Sequence, residues 1–212
     1  MVSVSTLGAA QGPLGSKEAE LIKAATYARR REFTAGRVLA RRALDEMGFD
    51  KAEIVQGPSG APLWPAGICG SIAHNSTHAA IAVAPVTQIL SVGIDIDDGR
   101  NLEAATEDVA SKVELLQLAA HPLILDDAGA ARLVFCAKEA LYKCQAPITG
   151  NSDLGFADVE LDLQNSCLLR AKPVINLDSP TFSVVGSIKI LVEQYQGVTI
   201  AIAWLPVANF SV

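Results

Sequence analysis

The sequence SVGIDID (residues 91–97) is the most informative stretch of this chain, because it joins an apolar alternation to two closely spaced carboxylates. In a β-strand, successive side chains point to opposite faces of the sheet. If residues 91–97 form a strand, Val92, Ile94 and Ile96 point into a core, and Asp95 and Asp97 lie side by side on the other face. Like charges this close repel each other unless a cation lies between them, and Mg²⁺ prefers hard oxygen ligands. The stretch therefore predicts a cation site or, as the alternative, an ordinary strand that ends in the turn Asp98-Gly99.

The sequence FCAKEALYK (residues 135–143) predicts a helix, since apolar residues recur in and just before it at a spacing of three and four. Glu139 and Lys143 are four residues apart and therefore share one face of that helix. Taken alone, the pair favours an ordinary helical ion pair, which contributes about 0.2–0.5 kcal/mol.

An arginine-rich segment lies within residues 17–47, which contain no proline and are predicted to form one helix. Its arginines are Arg29, Arg30, Arg31, Arg37, Arg41 and Arg42. Guanidinium groups grip phosphate in a bidentate manner, so the segment predicts either an anion site or a solvated basic face. His74 ends a predicted strand over residues 70–74, and a single histidine in that place favours a structural role.

The composition excludes several classes of protein. Half of the 212 residues are hydrophobic, 19% are charged and the net charge is −6, which excludes an intrinsically disordered chain and argues against a non-specific nucleic-acid binder. The four cysteines form no CxxC pair, so we expect reduced thiols and a cytoplasmic location. The long uncharged stretch that includes residues 59–94 is broken by prolines and glycines, so no membrane span is expected.

The pattern of the whole chain indicates a mixture of helices and strands. Further helices are predicted over residues 103–118 and 128–145, and strands over residues 53–57, 78–84, 158–163, 167–171, 181–191 and 197–205. Two predicted hairpins resemble each other, since GSI (70–72) leads to IAVAP (81–85) and GSI (186–188) leads to IAIAWLP (200–206). This repetition favours two related α/β lobes that meet near residue 100, with a ligand cleft between them.

Four segments together resemble the 4′-phosphopantetheinyl transferase superfamily, of the long monomeric type. They are RRREFTAGRVLARRAL (29–44), GPSGAPLWPAGICGSIAHN (57–75), SVGIDID (91–97) and FCAKEALYK (135–143). The resemblance implies an α/β (α+β) fold of two similar lobes about a pseudo-twofold axis, here residues 1–100 and 101–212, with coenzyme A between them. It also implies transfer of the phosphopantetheine arm of coenzyme A to a serine of an apo acyl or peptidyl carrier protein of non-ribosomal peptide, polyketide or siderophore synthesis, with release of adenosine 3′,5′-bisphosphate.

The resemblance implies a role for individual residues. Asp95, Asp97 and Glu139 would hold Mg²⁺, although hard oxygen ligands accept Mn²⁺ as well. Glu139 would be the general base for the carrier serine, Lys143 would neutralise the leaving phosphate, and Asp95 completes the catalytic set. The implied coenzyme A ligands are Arg29, Arg37, Ser59, Gly60, Ala61, Pro62, Ala73, His74, Asp95, Glu139 and Lys143. Lys138 would add positive charge near the phosphates.

Three positions depart from the family pattern. Asp97 stands where relatives often have Glu, Ala73 where many have Ser or Thr, and Ser59 where many have Lys or Arg. These changes weaken individual contacts and leave Asp95, Glu139 and Lys143 in place. Two other functions stay open: a catalytically silent module that binds coenzyme A and a carrier, and an unrelated Mg²⁺-dependent phosphohydrolase. The segments 120–133 and 145–155 are candidate docking loops for the carrier or, as the alternative, plain surface loops.

Overall fold

The structure is a computed structural model that describes residues 1–50, 52–99, 109–118, 127–150, 154–165, 167–174 and 179–207. The strands are β1 (Val2–Thr6), β2 (Ile68–His74), β3 (His78–Pro85), β4 (Ile89–Asp97), β5 (Val159–Leu163), β6 (Leu168–Pro173), β7 (Lys189–Tyr195) and β8 (Val198–Pro206). The helices are α1 (Ser16–Leu21), α2 (Tyr27–Glu46), α3 (Lys112–Leu118), α4 (Asp127–Thr149) and α5 (Ser179–Ser187). The predicted mixed α/β class is therefore confirmed.

The described strands form two antiparallel sheets. The first has the order β1-β3-β2, and the second has the order β4-β8-β7-β6-β5. The first predicted hairpin is present, because β2 pairs with β3. In the second, β7 pairs with β8, but the sequence GSI (186–188) precedes β7, and its first two residues end α5. β4 lies in the second sheet, although the predicted division at residue 100 assigns it to the first lobe. The two-lobe division itself stays a prediction.

The two sheets pack face to face because their strands alternate two sets of apolar side chains. Along β3, Ala79 and Ile81 join the core under α2, whereas Ala80 and Ala82 join a second core that β4 and β8 share. A hydrogen bond fixes the sheets to each other, since the backbone N–H of Ile94 donates to the hydroxyl of Ser71 at 3.1 Å. The order of layers is therefore α2, first sheet, second sheet, α4.

The predicted single helix over residues 17–47 is wrong, because the chain forms α1 and α2 with a break between them. Thr26 is the N-cap of α2: its backbone is extended and its hydroxyl accepts a hydrogen bond from the N–H of Arg29 at 3.3 Å. Arg30 holds the break, since its guanidinium donates to the carbonyl oxygens of Ala25 and Lys23 at 3.0 and 2.6 Å.

Two predicted strands are also wrong. Most of the range 181–191 forms α5, because Val184 and Val185 pack as one face of a helix in the core of the second sheet. In place of a strand over residues 53–57 there is an isolated bridge between Gln56 and Pro62. Part of the predicted helix 103–118 lies outside the described residues, and the described part contains α3. Among the described helices, none is long and apolar enough to cross a membrane.

Candidate active site

The carboxylates of β4 lie where the alternation predicts. Ile94 is fully buried between the two sheets, while Asp95 and Asp97 belong to the opposite face, the one that carries α4. The side chain of Asp95 is nearly buried, with the residue only 8% exposed. The centre of the site is thus a carboxylate at the interface of a strand and a helix.

Gly93 allows α4 to lie directly against β4. A Cβ atom at this position would clash with the carbonyl oxygen of Ala140 and would lie 2.7 Å from the backbone nitrogen of Cys144. Reciprocal bonds fix the contact, because the Ser91 hydroxyl donates to the Cys144 carbonyl at 2.6 Å and the Cys144 thiol faces the Ser91 carbonyl at 3.5 Å. The close approach places the Glu139–Lys143 face of α4 over Asp95.

Lys143 forms its ion pair across this contact. Its Nζ lies 2.6 Å from Oδ1 of Asp95 and 3.2 Å from the carbonyl oxygen of Ile94. The ammonium group therefore bridges two oxygens of β4 and does more than pair with a neighbour on its own helix. The interpretation as a plain helical ion pair does not describe Lys143.

Glu139 lies in the field of both groups. Burial raises the pKa of its carboxyl group, the nearby Lys143 lowers it, and the nearby Asp95 raises it. The side chain also faces a cleft of about 190 Å³ with a mostly apolar lining. The lining includes Leu141, Tyr142, Leu154, Phe156 and Val159. Glu139 thus joins a charged centre to an apolar cleft.

Asp97 is the second carboxylate of β4, and it is held by the turn that follows. Its Oδ2 accepts a hydrogen bond from the N–H of Gly99 at 2.9 Å and lies 3.8 Å from Nε of Arg132. Burial raises the pKa of Asp97, the Gly99 N–H lowers it, and the neighbouring Asp98 raises it. Gly99 has a φ of +78°, and the guanidinium of Arg132 occupies the space that a Cβ would need.

His74 and Arg29 meet at the beginning of α2. Nη1 of Arg29 lies 2.5 Å from Nε2 of His74, and Oε2 of Glu32 lies 3.5 Å from Nδ1 of the same ring. Burial lowers the pKa of His74 and is the largest cause of its shift. The positive charge of Arg29 also lowers this pKa, whereas the negative charge of Glu32 raises it. Weaker contributions come from Lys143 and Asp95, so the centre on β4 and α4 lies within electrostatic reach of this cluster.

Arg37 is buried beneath that cluster rather than exposed. Its Nε donates to the carbonyl oxygen of Ile54 at 2.7 Å, and its guanidinium lies 4.3 Å from the ring centre of Phe33. Burial lowers the pKa of Arg37 to about 10, against a partly compensating contribution from Glu18. Arg29, at the exposed end of the helix, is the arginine that the structure brings to His74.

The expectation that Lys138 adds charge near the phosphates is wrong. The residue is 4% exposed, and its Nζ donates to Glu114 at 2.8 Å and to the carbonyl oxygens of Val109 and Phe156 at 3.0 and 2.8 Å. Glu114 is fully buried and also accepts from the N–H of Leu161 at 2.8 Å. Lys138 therefore links α4 to α3 and β5 through Glu114. It is five residues from Lys143 along α4, so the two lysines point in different directions.

The remaining predicted ligands belong to a loop that precedes β2 and to β2 itself. Ser59, Gly60 and Ala61 are exposed in a loop that the bond from Gly57 N–H to the Ala61 carbonyl closes at 2.8 Å, and Pro62 follows in the isolated bridge. Ala73 points into the core between the sheets, on the face of β2 opposite to His74. Only the backbone of Ala73 is therefore placed to meet a ligand on the His74 side.

Sequence reasoning missed two residues of the site. Arg132 precedes Glu139 by seven residues, which is two helical turns and the same face, so the spacing alone could have indicated it. Glu32 gave no comparable signal, because its contact with His74 joins a helix to a strand 42 positions later in the chain.

Comparison with known proteins decides the family. A model described as the 4′-phosphopantetheinyl transferase N-terminal domain matches residues 17–84, and a model described as the 4′-phosphopantetheinyl transferase superfamily matches residues 91–202. The chain belongs to the 4′-phosphopantetheinyl transferase superfamily. The two matched ranges are separated by residues 85–90, which contain the end of β3 and the beginning of β4.

Several members of the superfamily resemble this chain along much of its length. The 4′-phosphopantetheinyl transferase Npt of Nocardia iowensis is 37% identical over 69% of this chain and 65% of its own. PptT of Mycobacterium tuberculosis is 34% identical over 70% of this chain and 64% of its own. Enterobactin synthase component D of Escherichia coli K12 is 30% identical over 76% of this chain and 73% of its own. The chain thus spans just under two thirds of the length of Npt and PptT.

Among solved structures, a holo-ACP synthase from Plasmodium yoelii matches with a TM-score of 0.42 and 19% identity, over 55% of this chain and 93% of its own.

The carboxylates of this site suit a divalent cation in their chemistry. No cluster of three or more His, Cys, Asp or Glu side chains in the described ranges is arranged to hold a metal ion without help. Mg²⁺ is usually held by only one or two carboxylates together with waters and substrate phosphates. Asp95 and Asp97 are two carboxylates on one strand face, and Asp95 raises the pKa of both Asp97 and Glu139, a repulsion that a cation would relieve. The residues present therefore fit the ion as a shared ligand set.

Proposed function

We propose that this chain transfers the 4′-phosphopantetheine group of coenzyme A to a serine of an apo acyl or peptidyl carrier protein and releases adenosine 3′,5′-bisphosphate. The observation that carries the proposal is the convergence of three groups from two elements, in which Lys143 bonds to Asp95 and Glu139 lies in the field of both. The family membership supports it. The carriers that we propose are domains of non-ribosomal peptide, polyketide or siderophore synthases.

Binding of coenzyme A would use the Arg29–His74 pair, the loop around Gly60 and the cleft beside Glu139. Arg29 and His74 present a guanidinium and an imidazole at the beginning of α2 for a phosphate, and the exposed backbone around Gly60 would lie along the nucleotide. The apolar cleft beside Glu139 has room for the slender, uncharged pantetheine arm. This arrangement leads the diphosphate to the Asp95 region.

The chemistry requires a base and a cation at the reacting phosphate. Glu139 accepts the proton of the carrier serine, whose oxygen then bonds to the phosphorus that bears the pantetheine arm. The bond from that phosphorus to the oxygen of the departing nucleotide breaks, and Lys143 neutralises the charge that develops there. Mg²⁺, held by Asp95 and Asp97 with help from Glu139, would supply further charge neutralisation on the diphosphate. Burial raises the pKa of Glu139. A carboxylate with a raised pKa is a better general base than an ordinary exposed one, because its pKa lies closer to the working pH.

Transfer is tested by mass spectrometry of several apo carrier domains after incubation with the protein, coenzyme A and Mg²⁺. We expect a carrier to gain the mass of one phosphopantetheine group. Glu139→Gln, which keeps the shape and removes the base, is expected to slow transfer by about 10²–10⁴-fold. The matched control is Glu193→Gln, at an exposed position of β7.

The two other functions give different results in the same assay. A silent binding module would bind coenzyme A while no carrier gained mass, and a phosphohydrolase would release inorganic phosphate from simple esters without a carrier. Either result would contradict the proposal. The prediction that 120–133 and 145–155 are loops is wrong for residues 127–133 and 145–149, which belong to α4. Residues 120–126 and 151–153 lie outside the described residues, and the carrier surface stays a prediction.

A further inference from the structure

The cluster at the beginning of α2 contains a carboxylate that the proposed reaction does not use. Oε2 of Glu32 lies 3.5 Å from Nδ1 of His74 and 3.7 Å from Nη1 of Arg29. Of these three side chains Glu32 is the least exposed, at 22%, against 26% for His74 and 46% for Arg29. An acidic group next to a phosphate site costs affinity through repulsion, so its presence calls for an explanation.

The geometry fixes where the proton of neutral His74 lies. A guanidinium can only donate, so Nε2 of His74 accepts the bond from Arg29 at 2.5 Å. The proton of the neutral ring is then on Nδ1, the nitrogen that faces Glu32. A carboxylate opposite Nδ1 favours this form, because it attracts an N–H and repels a lone pair.

A phosphate that replaces Arg29 at Nε2 would meet the lone pair of this ring. The ring can offer a donor at Nε2 in two ways: it can move its proton away from Nδ1, which Glu32 opposes, or it can take up a second proton, which Glu32 favours. We propose that Glu32 is a positioning residue that pins the proton on Nδ1 of His74 and thereby couples phosphate binding to the uptake of one proton at Nε2. The inference rests on the proposed function, because it concerns the phosphate of coenzyme A.

The charges around the ring agree with this role. Arg29 and Glu32 reach His74 from α2, while Lys143 of α4 and Asp95 of β4 act from the other side. Burial and Arg29 lower the pKa of His74 in the free protein. When a phosphate binds, Arg29 turns toward it, and a negative charge then faces Nε2 of His74 in place of a positive one. The bound state therefore holds the second proton over a range of pH in which the free state does not.

Glu32→Gln tests the coupling, because an amide can present either an acceptor or a donor to Nδ1. Binding of coenzyme A is measured by titration calorimetry at pH 6 and pH 8, in buffers of different ionisation enthalpy, which gives the number of protons taken up. The wild type is expected to take up more protons than Glu32→Gln does. Protonation of the phosphates of coenzyme A itself cancels in this difference. Glu46→Gln, at the exposed end of the same helix, is expected to match the wild type, and His74→Asn to match Glu32→Gln.

The expected effect on affinity changes sign with pH. At pH 8, Glu32→Gln binds coenzyme A as tightly as the wild type or more tightly, because a repulsive charge is gone. At pH 6 the variant binds more weakly. Equal proton uptake by the wild type and Glu32→Gln would overturn the inference, as would an equal loss of affinity at both pH values, which indicates a merely structural role. Failure of the wild type to bind coenzyme A would instead contradict the proposed function.

Nuclear magnetic resonance gives a second measurement. The chain has three histidines, and the His74→Asn spectrum assigns the ring of His74. We expect ¹⁵N shifts typical of a proton on Nδ1 in the free wild type and of a doubly protonated ring with adenosine 3′,5′-bisphosphate bound near neutral pH. A ring that carries its proton on Nε2 in the free protein would overturn the inference.

Discussion

Two lysines of α4 show how strongly the environment of a single residue decides its role. Lys143 is 29% exposed and bonds to a carboxylate at the site. Lys138 is only 4% exposed, and it donates hydrogen bonds to the buried carboxylate of Glu114 and to the backbone carbonyls of Val109 and Phe156. The same charge therefore acts on a ligand at one position and stabilises the fold at the other.

Lys138→Met is expected to destabilise the protein without weakening coenzyme A binding by the folded fraction. The change leaves Glu114 buried without its cation, and breaking a buried pair in this way costs about 3–5 kcal/mol. Urea unfolding measures the loss, and the exposed Lys172→Met serves as a control. The double variant Lys138→Met/Glu114→Gln, which keeps the acceptor for the Leu161 N–H, is expected to recover part of the loss. A single variant of unchanged stability with much weaker coenzyme A binding would return Lys138 to the phosphate site.

At the scale of elements, the contact of α4 with β4 positions the chemistry. Gly93→Ala places a methyl group against the backbone of α4, which cannot move aside as a flexible side chain would. We expect a loss of about 1–3 kcal/mol or more and a large fall in transfer rate, because Lys143 and Glu139 move away from Asp95. Gly186→Ala is the control, since nothing lies within 4 Å of its Cβ. Full activity of Gly93→Ala would show that the close approach is not needed.

The same contact predicts a pH effect on stability. Burial raises the pKa of the Cys144 thiol to about 12, against an ordinary value of 9.0. The unfolded chain releases this proton first as the pH rises, so the thiol stabilises the fold fully below pH 9 and loses that contribution between pH 9 and about 12. The loss amounts to about 1.4 kcal/mol by pH 10.

Cys144→Ala is therefore expected to lose less stability than the wild type does between pH 8 and pH 10, although it starts from a lower value. Urea unfolding at several pH values measures the difference. Cys167→Ala, at a half-buried position, is expected to follow the wild-type curve. Parallel curves for the wild type and Cys144→Ala would contradict the burial argument.

The elements that the sequence predicted correctly are those with a strong local pattern. β4 was predictable because alternation over residues 91–97 survives in the sheet, and α4 because its apolar spacing matches the face that packs on β4. The break between α1 and α2 depends on bonds from the Arg30 side chain to backbone carbonyls five and seven residues before it, which the spacing of apolar residues does not indicate. The helix α5 depends on a core that Val184 and Val185 join from far along the chain. Lys138 was misplaced for the same reason, because its partners are 24 residues before it and 18 residues after it.

At the scale of the whole molecule, the core between the two sheets binds the halves of the chain into one folding unit. Ala80 and Ala82 of the first sheet pack with Val92, Ile94 and Ile200 of the second. Neither sheet can expose this face without losing a large apolar contribution, which is roughly 25 cal/mol for each Å² buried. Site residues from both sheets therefore depend on a common core.

The two tryptophans allow this coupling to be measured. Trp64 packs on the core of the first sheet, and Trp204 packs on the core between the sheets. In Trp64→Phe and Trp204→Phe, which each retain one fluorescent reporter, we expect two-state urea unfolding, with the reporter following the same global transition that circular dichroism shows. Ile200→Ala in either background is expected to lower stability by about 2–5 kcal/mol at both reporters. Separate transitions, or an effect of Ile200→Ala on Trp204 alone, would show that the halves unfold independently and that Arg29 and His74 can be lost while the Asp95 centre persists.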